Sequence, residues 1–254
     1  MSSQVCVVRI AGYGPWTLGL GSDREHRLQA LQATLYATLQ GAFSERGGLV
    51  FQNRADELFA LTNGMDMPAH EAAMGEVAPR FGEVDLRAAV GCAAGPLAAS
   101  RAAHAASLAA GEARTCGEAC AGGAGEATVL HMDVDGLSAR RRESSPFEIS
   151  ASIYSLYADM ARFYLARGGL AFFMGGDNFM VIPDGDAAAV RRDASELVAS
   201  SVRLGLGLNC GIGRGTTARG AAAAATRSLD EIRRLRKGGT AERVHGASSR
   251  SPAS

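Results

Sequence analysis

The stretch GGLVFQNRADELFALTNG at residues 47–64 decides the fold of this 254-residue chain, because GGLAFFMGGDNFMVIPDG at residues 168–185 repeats it at an offset of 121. Six positions are identical, among them Phe51 with Phe172 and Asp56 with Asp177. Self-similarity at one fixed period points to a supersecondary unit used twice. In each copy two apolar runs flank a polar centre, the pattern of a β-hairpin with an acidic tip.

Upstream of each hairpin stands an apolar strand, residues 5–10 in the first half and 127–132 in the second. Both end in sharp turns, Ala11-Gly12-Tyr13-Gly14-Pro15-Trp16 and Asp133-Val134-Asp135-Gly136-Leu137. Between strand and hairpin, Leu28, Leu31, Leu35, Leu39 and Phe43 recur at spacings of 3, 4, 4 and 4, which is one face of a helix. Residues 147–166 are its counterpart. After the hairpin each half adds a helix, a strand and a further helix, the paired strands being residues 84–91 and 206–213. The order β-α-β-β-α-β, twice, predicts an α+β protein of two tandem ferredoxin-like domains, antiparallel sheets with helices on one face. The first domain is expected at residues 1–115 and the second at 127–245. A Gly, Ala and Cys stretch without periodicity at 111–126 supplies the linker, 116–126, and residues 246–254 read as a disordered tail.

Twenty-six basic and 26 acidic residues cancel to a formal net charge of +0, which argues against a nucleic-acid or membrane-surface partner. No apolar run approaches the roughly 18 to 20 residues that cross a bilayer, and residues 1–9 lack a signal-peptide pattern. The expectation is a soluble cytoplasmic protein. Five cysteines, odd in number and scattered, make no disulfide framework and fit a reducing compartment. Cys116 and Cys120 form a C-x3-C pair, but no second pair stands at zinc-site spacing. Lys237 is the only lysine, and runs such as residues 221–225, all alanine, suggest the imprint of genomic base composition.

In such a fold the first strand and the hairpin are neighbours, so an acid ending one meets an acid at the turn of the other. The second half has both. Asp133 closes its strand, and Asp177 follows 44 residues later in Gly175-Gly176-Asp177-Asn178, where glycines allow a tight turn and close ligand approach. Two convergent carboxylates suit Mg²⁺, a hard ion that takes one or two carboxylates plus phosphate oxygens of its ligand. The implied ligand is a nucleoside triphosphate. The turn Val134, Asp135, Gly136 and Leu137 leads toward a helix, so its backbone N–H groups can cradle phosphate oxygens. Aspartates at strand ends and turns also serve as simple caps. Their joint occurrence at matching positions of a repeat favours the metal site. In the first half Ala11 closes the strand, 45 residues before Asp56, and the pair is broken. Asp56 and Glu57 then remain open to three readings: an altered second metal site, contacts to a ligand held by the other half, or an ordinary solvated turn. His131 is read as structural.

YGPWT at residues 13–17, LQALQATLYATL at 28–39, TNGMD at 62–66 and FMGGDNFM at 173–180 resemble archaeal GTP cyclohydrolase III, also called IIa, over nearly the whole chain and in the same order. The resemblance implies tandem palm-like domains related to nucleotidyl cyclases, a homo-oligomer (dimer or tetramer), Mg²⁺ as cofactor and stimulation by a monovalent cation such as K⁺. It implies that GTP is opened at guanine C8 with retention of the formyl group and loss of the two outer phosphates. The product is the formylaminopyrimidine ribonucleotide of flavin and deazaflavin biosynthesis. Position by position, Asp133 and Asp177 match the metal-binding catalytic acids and Asn178 the asparagine of GGDN. Gly175 and Gly176 belong to the same motif, and Arg214 matches a family position whose guanidinium either pairs with phosphate or lies on the surface of a strand-to-helix turn. Tyr13 matches an aromatic turn that either faces the base or packs a corner. The chain departs from the family in Ala11-Gly12 for Asp-Asn, in Ala55-Asp56-Glu57 for Phe-Asp-Asn, and in a shorter, Ala/Gly-rich interdomain stretch. A cyclase-like enzyme joining a 3′-hydroxyl to an α-phosphate and a non-catalytic GTP-sensing module are the competing readings.

Overall fold

The computed structural model describes residues 2–121, 125–140, 142–202 and 205–246. The first half contains β1 (Ser3–Ala11), α1 (Tyr13–Gly19), α2 (Glu25–Glu45), β2 (Leu49–Arg54), β3 (Glu57–Leu61), α3 (Met67–Val77), β4 (Asp85–Ala93), α4 (Pro96–Ala109) and β5 (Thr115–Gly117). The second contains β6 (Ala127–Asp135), α5 (Leu137–Arg140), α6 (Pro146–Leu165), β7 (Leu170–Gly175), β8 (Asn178–Ile182), α7 (Ala187–Ser201), β9 (Gly207–Gly215), α8 (Ala218–Lys237) and β10 (Val244–Gly246). Among the described residues two five-stranded sheets result, ordered β2-β3-β1-β4-β5 and β10-β9-β6-β8-β7, the same order traced in opposite directions. Four strands of each are antiparallel as expected. The short outer strands β5 and β10 add to them in parallel.

Period-2 alternation along β1 sends Cys6, Val8 and Ile10 to one face, where Leu35, Leu39 and Phe43 of α2 and Met74 and Val77 of α3 complete a core. In the second sheet Leu130, Met132 and Val134 meet α6 and α7 in the same way. The expectation of helices on one face holds for these two pairs. The last helix of each half covers the opposite face: α4 rests on Val5, Val7 and Ala89 through Ala99 and Ala103, and α8 rests on Ala127 and Val129 through Ala218, Ala221, Ala222 and Ala225. The alanine run at 221–225 therefore has a packing reason. A Cβ at Gly211 or Gly213 of β9 would collide with the α8 backbone, so helix and strand approach more closely than side chains allow elsewhere.

The register corrects one expectation. Ile10 N donates to Asp56 O at 3.0 Å and Val134 N to Asp177 O at 3.1 Å, which makes Ile10 and Val134 equivalent. Arg9 pairs with Glu57 across β1–β3, and Asp133 pairs with Asn178 across β6–β8. The counterpart of Asp133 is thus Arg9, and Ala11 corresponds to Asp135. Nor does Asp133 close its strand; β6 runs two residues further.

The halves join through their equivalent hairpins. Phe51 and Phe172, identical positions of the repeat, stack at 4.4 Å between ring centroids with an 11° interplanar angle, flanked by Leu61 and Ile182. Two matched hydrogen bonds frame this seam: Leu97 N to Gly168 O at 3.1 Å and Arg219 N to Gly47 O at 3.0 Å. The stretch expected as linker is partly structured, since β5 adds to β4 and Cys120 forms a disulfide with Cys92, a pairing the scattered cysteines did not announce. Gly246 ends β10, and the rest of the expected tail, 247–254, lies outside the described residues. Among the described residues no helix is long and apolar enough to cross a membrane.

Phe51→Ala and Phe172→Ala each delete a fully packed ring from the seam. Each is expected to lower the unfolding free energy by about 3–5 kcal/mol in a denaturant titration. A loss below about 1 kcal/mol would show that the halves do not depend on this contact.

Candidate active site

Because Val134 turns into the core, its neighbours on β6 turn the other way. His131, Asp133 and Asp135 stand in a row beneath α8. Asp133 is buried, at 7% exposure, and a carboxylate so placed needs partners for both oxygens. Oδ1 accepts from Asn209 Nδ2 at 3.0 Å, and Oδ2 accepts from Arg233 Nη2 at 2.6 Å and Nε at 3.2 Å. Asp135 Oδ2 accepts from Arg236 Nη1 at 2.5 Å and Arg243 Nη2 at 3.2 Å. Asn209 Oδ1 links the two sets by accepting from Arg236 at 3.2 Å and Arg243 at 3.3 Å. Three guanidiniums from α8 and the segment before β10 thus converge on two adjacent carboxylates.

A cleft of about 380 Å³ opens over this cluster, lined by Asp133, Val134, Asp135, Gly136, Leu137, Asp177, Asn209, Arg233, Arg236 and Lys237. Six of the expected residues therefore share one cavity: Asp133, the turn from Val134 to Leu137, and Asp177. Gly136, with φ +74°, turns the chain from β6 into α5. Only glycine adopts that conformation without strain. On the hairpin, Gly175 and Gly176 have φ of +97° and +63°, and they set Asp177 at the tip. The residue directly across from Asp133 is Asn178 rather than Asp177. Asn178 Nδ2 donates to Asp177 Oδ1 at 2.7 Å, and its Oδ1 lies 3.2 Å from His131 Nε2, whose Nδ1 is 3.0 Å from Thr226 Oγ1. His131 is therefore structural in the sense of bracing the hairpin against α8. Gly176 also lines an adjoining cleft of about 380 Å³, together with Leu137, Ser144, Pro146, Ile149, Ser150 and Ile153.

Burial is the largest influence on His131 and lowers its pKa, against the upward pull of the Asn178 hydrogen bond and the Asp133 charge. For Asp135 burial is again the largest single influence and works upward. The combined hydrogen bonds and charges of Arg236 and Arg243 outweigh it, and the pKa is lowered.

Arg214 does not reach this cleft. It pairs with Thr128 near the start of β6, five residues from Asp133, or about 17 Å along a strand. The antiparallel direction of β9 carries a residue at its C-terminal end away from the C-terminal end of β6. The first-half candidates stay in the first half: Tyr13 Oη accepts from Gln32 Nε2 at 2.7 Å and packs near Trp16, Asp56 pairs with Arg54 at 3.1 Å, and Glu57 pairs with Arg9 at 2.5 Å. Arg9 also donates to Ser107 Oγ at 2.9 Å. Where the second half presents Asp133 and Asn178, the first presents an internal ion pair.

Arg233, Arg236, Arg243, Asn209 and Lys237 were not among the expected residues. A signal existed for the helical ones, since Asp230, Arg233 and Arg236 recur at three-residue spacing on one face of α8. Asn209 and Arg243 carry no local signature.

Residues 5–246 match the GTP cyclohydrolase III family. GTP cyclohydrolase III of Methanothermobacter thermautotrophicus is 32% identical over 238 residues, covering 91% of this chain and 94% of that protein. That of Natronomonas pharaonis is 33% identical over 244 residues, covering 91% and 95%. Among solved structures, the GGDEF domain of DgcB from Caulobacter crescentus in complex with c-di-GMP aligns with 48% of this chain and 77% of that chain at 17% identity and a TM-score of 0.39.

A carboxylate whose pKa falls on folding contributes its stability in full above the unfolded value and loses it as the pH drops through the folded one. The stability difference between the wild-type chain and Asp135→Asn is expected to be constant above about pH 4 and to shrink as the pH falls below the ordinary carboxylate value of 3.8. Denaturant midpoints across that range measure it. A difference that grows toward low pH would contradict the arginine pairing.

Proposed function

The chain belongs to the GTP cyclohydrolase III family, and from that premise we propose that it hydrolyses GTP at guanine C8 in the cleft of its second half. Water adds to C8, the C8–N9 bond opens with a proton to N9, and the formyl group stays on the former N7. Further water attacks the anhydride phosphorus and removes the two outer phosphates in the same active site, the bridging oxygen staying with the nucleotide monophosphate. The observation that carries this reading is the single cleft that joins Asp133 and Asp177 to the Gly136 turn, with Arg233, Arg236 and Lys237 facing them.

In this reading the triphosphate lies along the Gly136 turn. Arg236 and Lys237, the only lysine of the chain, balance its charge from α8. The base enters the adjoining cleft, where Ile149 and Ile153 give an apolar wall and the Ser144 and Ser150 hydroxyls offer polar partners. Leu137 borders both cavities and separates phosphate from base. His131 keeps the hairpin registered by holding Asn178, which in turn orients the Asp177 carboxylate.

The donor set suits Mg²⁺. Asp133 and Asp177 offer hard carboxylate oxygens in one cleft, and Mg²⁺ takes one or two carboxylates together with water and phosphate oxygens. Asp133 and Asp177 would hold the ion, which supplies Lewis-acid polarisation and charge neutralisation at the phosphoryl oxygens. A monovalent cation such as K⁺ and a homo-oligomeric assembly complete the proposal. The first half is proposed to bind no divalent ion, because Arg9 occupies the place of Asp133.

Incubation with GTP and Mg²⁺ should yield a formylaminopyrimidine ribonucleotide monophosphate by mass spectrometry. Asp133→Asn and Asp177→Asn should each lower kcat by about 100-fold or more. A cyclic nucleotide as product would replace the proposal with a cyclase. GTP bound but unchanged would replace it with a sensing module.

A further inference from the structure

Three observations set Arg233 apart from the other cations of the cleft. Among the described residues its guanidinium alone takes Asp133 Oδ2, through Nη2 at 2.6 Å and Nε at 3.2 Å, while the remaining oxygen is held by Asn209. Arg236 and Arg243 are engaged by Asp135 instead. Second, the two members of the pair differ in freedom: the Asp133 side chain is 9% exposed and that of Arg233 is 49% exposed. Third, Arg233 already touches an alternative partner, since its Nη1 donates to Asp230 Oδ1 at 2.8 Å, one turn back on the helix surface.

A divalent ion bound to Asp133 and the guanidinium compete for the same Oδ2 lone pairs. Asp133 is fixed by burial and by Asn209, so the movable member is Arg233. We propose that Arg233 is a resident counter-ion of Asp133, which a divalent cation must displace, and that the released guanidinium rests on Asp230 or on the phosphates of a bound nucleotide. Asp133 is then never left buried without a positive partner, and the cleft keeps its charge balance in either state. One consequence is that the ion alone binds weakly, because it must break a charge-assisted hydrogen bond. Another is that a polyphosphate, by receiving the guanidinium, favours the exchange. Arg233 is in this sense a positioning residue that couples cation entry to nucleotide entry.

The inference rests on Asp133 being a cation ligand, and the test separates the two. Mn²⁺ serves as the probe, with free ion counted by electron paramagnetic resonance on the full, nucleotide-free chain. Arg233→Met should bind Mn²⁺ about tenfold more tightly than wild type, the reverse of what loss of structure would do. Asp133→Asn should abolish binding in both backgrounds. If Asp133→Asn leaves the affinity intact, the metal assignment itself fails. If Asp133→Asn abolishes it while Arg233→Met binds no tighter than wild type, the counter-ion inference alone is overturned. A second measurement uses the unmodified protein and so survives any folding defect of the variants. Modification of arginines by a dicarbonyl reagent, mapped by mass spectrometry, should rise severalfold at Arg233 on adding Mn²⁺ and stay level at Arg236. An unchanged Arg233 signal in the presence of bound Mn²⁺ would also overturn the inference.

Discussion

The close seating of α8 on β9 is the constraint from which the rest of the site follows. Gly211 and Gly213 leave no side chain between strand and helix, and Ala221, Ala222 and Ala225 present only methyl groups toward the sheet. A helix held this near can lay the arginines of its last turns directly over carboxylates on β6. Had the seam been filled by leucines, the interaxial gap would widen and Arg233 would not span it at hydrogen-bonding distance. Packing and electrostatics are therefore one design here, since the alanines set the height at which the arginines work.

The same construction in the first half stops short. Gly91 of β4 admits α4 as closely, but α4 ends at Ala109, equivalent to Glu231 of α8, about two turns before the position of Lys237. What α4 brings to Arg9 of β1 is the Ser107 hydroxyl at 2.9 Å and the His104 ring at 3.0 Å. The strand itself carries the positive charge in Arg9, and Glu57 of the hairpin answers it. One scaffold thus presents opposite polarity at equivalent positions, with the negative strand facing a basic helix in one half and the basic strand facing an acidic hairpin in the other.

Much of this was legible in the residues, and the limits were physical. The hairpins and the α2 and α6 helices announce themselves because their periodicities are local. The turn at Gly136 and the acids Asp133 and Asp177 could be placed in one cavity for the same reason: topology makes their strands neighbours. Register was not legible, because the loop between the first strand and the hairpin absorbs a three-residue shift, and the eye matches Ala11 to Asp133 where hydrogen bonding matches Arg9. Motif position and guanidinium chemistry point Arg214 toward phosphate, and strand direction carries it to the opposite end of the sheet. The arginines of α8 needed a docking distance that no one-dimensional pattern encodes. The Cys92–Cys120 bridge needed the path of the chain after β5.

Phe51 stacked on Phe172 has a meaning beyond its contribution to stability. A residue that meets its own repeat-mate lies on a local dyad, the mark of an isologous contact, in which one surface is complementary to itself. A half-length polypeptide with this face would associate as a symmetric pair at the mercy of its concentration. Joining the copies in one chain makes the encounter intramolecular and replaces dilution by a fixed effective molarity. Fusion also frees the partners from identity: a symmetric pair must carry any substitution twice, whereas here one copy holds Arg9 at the position where the other holds Asp133.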